Sequence, residues 1–137
     1  MPYVASYAAA LVSFVIIDAV WLYTMSGLLY RPTLGDILLE APRMMPAVVF
    51  YLLFPIGLVV FAIVPALRGG GLVPAIALGA LFGALAYATY DLTNYATLRN
   101  WTLQLTVADI VWGGLLSGIA AACGYLAANA VRGTIAA

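Results

Sequence analysis

Four apolar runs, each long enough to cross a bilayer, take up most of this 137-residue chain. A membrane span needs about 20 apolar residues at about 1.5 Å of rise each. The runs extend from about Tyr3 to Leu29, Pro46 to Leu67, Leu72 to Leu98 and Leu103 to Val131. Arg68-Gly69-Gly70-Gly71 reads as a tight turn between the second and third, and Arg99-Asn100-Trp101 links the third and fourth. Only the first loop, Tyr30 to Met45, has substance: prolines flank an amphipathic middle, which suits a short segment lying in the membrane interface. The expectation is an all-α integral membrane four-helix transmembrane bundle, with residues 1–137 as a single four-span domain.

Composition leaves little alternative. Hydrophobic residues make up 66% of the chain and charged residues 7%, against about 45–50% and about 25% in soluble domains. So few charges cannot solvate a water-facing surface, and lipid is the natural solvent. Net charge is zero and no basic patch exists, which excludes a nucleic-acid partner. Cys123 is alone, so it forms no internal disulfide and no zinc spacing; it reads as a small packed residue. The first run lacks a positive leader region and is too long for a signal peptide, so it is read as a true span.

Small residues sit where helices can approach closely. Gly79 and Gly83 form one GxxxG and Gly114 and Gly118 another, extended by Ala80, Ala84, Ala88, Ser117, Ala121 and Gly124. Packing within one bundle is favoured over a homodimer seam. Pro55 falls inside the second span and should kink it. Arg68, Arg132 and the amino terminus share one side, and Arg31, Arg43 and Arg99 the other, so the positive-inside count is nearly balanced. Discounting Arg43 and Arg99 as partners of buried acids would put both termini in the cytoplasm.

Three aspartates interrupt the apolar runs: Asp18, Asp91 and Asp109. An ionised carboxylate at mid-bilayer costs about 2.5–3.5 kcal/mol even on the mildest scale. Alternating span direction brings all three toward one membrane face, at a depth of roughly 9–12 Å. Arg43 and Arg99 lie at that same face. On the third span Tyr87, Tyr90, Asp91 and Asn94 fall within about 100° of one helix face. Asp18 and Trp21 stand at i, i+3, as do Asp109 and Trp112, and the strings IIDAVWL and VADIVWG resemble one another as a short internal repeat would. An indole beside a carboxylate can donate its N–H, help hold a cation or flank a proton carrier. The bland alternative is a buried polar network that fixes helix register.

Several chemistries are excluded. Without His there is no His-based metal site or serine triad, and without Lys no Schiff base. The glycines form no phosphate loop. Two or three acids are a weak metal signal, so no metal is assigned, and the residues name no cofactor. Asp91 and Asp109 can serve as general acid and base.

At these residues the chain resembles a known family. DAVWL (18–22), FYLLFPIGLVVFAIVPAL (50–67), YATYDLTNYATLRNW (87–101) and VADIVWG (107–113) are similar to a bacterial four-span membrane family, domain-of-unknown-function family 2177. The resemblance covers about Tyr7 to Ala127 and implies a shared fold and site in the bacterial inner (cytoplasmic) membrane. It supplies no activity, and its members look like neighbours of lipid-modifying genes in some bacteria. Three readings follow. The first is a pocket that binds and modifies a membrane lipid or lipophilic small molecule, with Asp91, Asp109 and Asp18 as catalytic acids. In it Trp21, Tyr87, Tyr90, Asn94 and Trp112 contact the substrate, and Arg43 or Arg99 holds an anionic head group. The second is a small proton- or cation-coupled transporter. The third is an accessory subunit docked on a membrane-complex partner.

Overall fold

The computed structural model describes residues 1–136 and forms a long helix from each apolar run. These are α1 (Pro2–Leu34), α2 (Met44–Gly70), α3 (Leu72–Thr97) and α4 (Leu103–Ala136). All four are long and apolar enough to cross a membrane. Helices satisfy their own backbone groups, which lipid cannot do for them. Large apolar side chains such as Val20, Leu28, Phe61, Val73 and Leu85 are exposed, as lipid-facing positions should be.

The ends differ from the apolar runs. α1 continues past Leu29 because its ladder passes through a π-helical turn, Ser26–Tyr30, and then takes in Arg31–Leu34. The first loop is thereby shortened, and residues 35–43 are turns, bends and irregular chain rather than a separate helix. Pro55 is buried inside α2 and has no N–H to give the ladder. Beside it the Tyr7 hydroxyl of α1 donates to the Leu52 carbonyl at 2.9 Å, a neighbouring side chain serving a backbone group near the break. Beyond Pro55, α2 winds through π-helical turns at Val59–Ile63 and Ala66–Gly70. The turn into α3 needs glycine: Gly69 has φ +137° and Gly71 φ +88°, where a Cβ is strained.

α4 is the central helix, packed along α3 on one side and α1 on the other. The α3 GxxxG permits this. A Cβ on Gly83 would lie 2.1 Å from Ser117 Oγ and 2.2 Å from the Gly113 carbonyl oxygen, and one on Gly79 would lie 2.5 Å from Ala121 Cβ. A Cβ on Gly114 or Gly118 would meet only ordinary contacts, 3.4 Å from the Ala80 and Ile76 carbonyl oxygens respectively. Both motifs therefore serve the α3–α4 contact within one chain. Gly83→Ala should destabilise the bundle by about 1–3 kcal/mol through overpacking. Gly133→Ala, where a Cβ meets nothing within 4 Å, should leave thermal unfolding in detergent unchanged. Equal melting of the two variants would contradict this packing.

α2 touches α1 along its first half, Met44–Leu58, and touches α3 mainly through its second, from Val59 onward. The two helices diverge toward the end that carries Met44 and Thr97. A wedge of about 380 Å³ opens between them, lined by Phe50, Ala86, Tyr87 and Tyr90. The other half is shut. Ala10, Ala62, Ile63 and Ala121 form a buried cluster there, and Ser6 Oγ donates to the Gly124 carbonyl at 3.0 Å. The bundle is open at one end and closed at the other.

Candidate functional site

All three intramembrane acids are buried in the open half, Asp91 with no exposed surface at all. Their surroundings differ. Asp18 of α1 is fully engaged: Trp112 Nε1 donates to Oδ1 at 3.0 Å and the Tyr51 hydroxyl to Oδ2 at 2.5 Å. Asp109 of α4 accepts from the Tyr30 hydroxyl, and that same oxygen accepts from Trp21 Nε1 at 3.0 Å. The two indoles stack face to face, centroids 4.3 Å apart and planes 8° from parallel. The Asp-x-x-Trp units of α1 and α4 thus engage crosswise. Each indole serves the acid of the opposite helix, directly for Trp112 and through Tyr30 for Trp21. Because α1 and α4 are antiparallel, Asp18 pairs at the level of Trp112, roughly 4.5 Å deeper than Asp109.

Asp91 of α3 stands apart. Neither of its carboxylate oxygens has a hydrogen-bond donor. The Asp109 carboxyl is close by, an acid beside an acid rather than an ion pair. Asp18, Asp91 and Asp109 do not combine into a three-ligand metal group among the described residues.

Tyrosines enclose the acids. The Tyr87 ring lies flush against α4, where a Cβ on Gly113 would fall 2.3 Å from its Cγ; the glycine makes room for it. Tyr87 also meets Phe54 edge-on, centroids 6.4 Å apart. Tyr90 borders the wedge and meets Trp101 edge-on, centroids 5.3 Å apart. Trp101 is buried and its Nε1 has no acceptor.

The structure brings together Asp18, Asp91, Asp109, Trp21, Trp112, Tyr87 and Tyr90. It leaves out Arg43 and Arg99: both are exposed, and the partners of Asp18 and Asp109 are phenols and indoles. Arg43 sits at the non-helical start of α2 and Arg99 in the α3–α4 turn, so both heads stay at the surface. Asn94 lies one turn beyond Asp91, half-buried, outside the hydrogen-bonded set. Tyr30 and Tyr51 were not foreseen from sequence. Tyr30 follows the last apolar residues of its run and precedes Arg31-Pro32, and Tyr51 hides in the apolar string FYLLF.

A family model described as a predicted membrane protein, DUF2177, matches residues 3–126. The chain belongs to the DUF2177 family. The match takes in α1, α2, α3 and most of α4, and so every acid and aromatic residue of the site. The family's description, like the four spans, says that this is an integral membrane protein and states no activity. No curated protein matches the chain, and no solved structure does.

Proposed function

We propose that the protein binds a lipid or other lipophilic molecule in the open half of the bundle and exchanges protons with it through the Asp91–Asp109 pair. The observation that carries this reading is Asp91. Its carboxyl is wholly buried, without a donor, beside another acid. Asp18 offsets the cost of burial with two donors; Asp91 does not, and an intramembrane acid left this way is kept for use. Asp91 and Trp101 Nε1 lack protein partners, and the wedge lined by Phe50, Ala86, Tyr87 and Tyr90 is apolar and aromatic. Predominantly apolar and aromatic walls are what a lipophilic ligand's site offers. One carboxyl of the pair gives a proton and the other takes one back, which leaves the pair as it began.

Two observations weigh against the alternatives. Transport needs access from both sides, but the closed half packs backbone against backbone at Gly79 and Gly83. An accessory subunit needs a free seam, and the small-residue seam is spent on the α3–α4 contact. Arg31, Arg43 and Arg99 are exposed at the open end; at the other, Arg68 is exposed and Arg132 donates to the Leu67 carbonyl at 3.0 Å.

The test is mass spectrometry of lipids from membranes holding equal amounts of the wild type or Asp91→Asn. A lipid species that forms, or stays bound, only with the wild type is expected. Identical lipid profiles and identical bound lipid would refute the reading.

A further inference from the structure

A second cavity, of about 820 Å³, lies between the end of α1, the first loop and the start of α2. Its lining is of two kinds. Leu22, Ile37, Leu38 and Leu39 are apolar, and the three loop residues among them are exposed. Arg31 and Arg43 supply two guanidinium groups, against one acid, Glu40. A single residue joins this cavity to the acids: Tyr30 lines it and donates its hydroxyl to Asp109.

We propose that this cavity seats the head of an anionic phospholipid, with its phosphate between Arg31 and Arg43 and its acyl chains along the apolar lining. The inference rests on the acid pair being the working site and names the class of lipid that is delivered to it. Guanidinium forks match phosphate oxygens in bidentate fashion, and a charge-assisted bond of this kind is about twice as strong as a neutral one. Glu40 leaves one net positive charge in the lining, which suits the single negative charge of a phosphodiester. A free phosphate would use the guanidinium groups and gain nothing from Leu22, Ile37, Leu38 and Leu39; an amphiphile uses both. The volume falls within the range of about 300–1,000 Å³ typical of ligand sites. The cavity also sits where head groups are, at the end of a span beside exposed arginines.

The experiment uses the full chain in maltoside micelles, titrated with dioctanoyl phosphatidylglycerol and followed by tryptophan fluorescence. Trp21 reports because it is bonded to Tyr30 on the cavity wall. Saturable binding is expected, weakened at least tenfold in the Arg31→Gln/Arg43→Gln double variant and for phosphatidylcholine with the same chains. Glycerol phosphate alone should not saturate. Leu38→Asp, which adds a negative charge but keeps both arginines, should also weaken binding and serves if the double variant does not fold. Equal affinity for the two lipids, wild-type affinity in the double or Leu38→Asp variants, or glycerol phosphate binding as tightly as the lipid would overturn the inference. Arginine-dependent binding without any Asp91-dependent lipid species would defeat the acid-pair reading alone. An Asp91-dependent species without arginine-dependent binding would defeat this one alone.

Discussion

Asp91→Asn should melt at a higher temperature than the wild type. Most buried substitutions destabilise, so the sign is diagnostic. The wild-type carboxyl is buried with no donor and faces a second acid. Ionised, it repels Asp109; neutral, it has had to take up a proton. An amide of nearly the same shape carries no charge and can donate to the Asp109 carboxylate. Relief of a fraction of the cost of an intramembrane acid, about 2.5–3.5 kcal/mol on the mildest scale, predicts a gain of roughly 1–3 kcal/mol. The variant should unfold several degrees later in detergent while losing the lipid-dependent activity. Gained stability with lost function is the signature of a site residue. A clear fall in melting temperature would mean that Asp91 is a strut.

Asp18→Ala should do the reverse. Its carboxylate receives both the Trp112 indole N–H and the Tyr51 hydroxyl, so truncation leaves two donors stranded in the bundle. Hydrogen bonds between membrane helices are worth about 0.6–2 kcal/mol each. With the lost packing, the expected destabilisation is about 2–4 kcal/mol. Asp18→Asn keeps one accepting oxygen and should lose roughly half as much. The Trp21–Trp112 stack, seated directly on this bond, should loosen in the alanine variant, which tryptophan fluorescence would show as a shifted emission. Wild-type melting and emission in Asp18→Ala would erase the division between a structural acid and a working one.

That division was not readable in the sequence, where Asp18, Asp91 and Asp109 look alike. The four spans were, because bilayer thickness converts directly into apolar length. The gathering of the acids followed from alternating direction alone. Their partners did not. Trp21 and Trp112 stood out by spacing, yet each serves the opposite helix, and only packing decides that. Tyr30 reaches Asp109 across a π-helical turn. Such a turn adds a residue to the helix, so faces beyond it no longer follow a 3.6-residue period. Arg43 and Arg99 drew attention by proximity in sequence and charge, but their heads remain at the surface, where solvation costs less than entry.

The contrast between the shut glycine-packed half and the splayed start of α2 has a bearing on the surrounding lipid. On the proposed reading, molecules diffusing in the monolayer beside the wedge would slide between α2 and α3. Those in the opposite monolayer would meet the packed flank of the helices. A protein working this way would be sensitive to the composition of one leaflet and blind to that of the other.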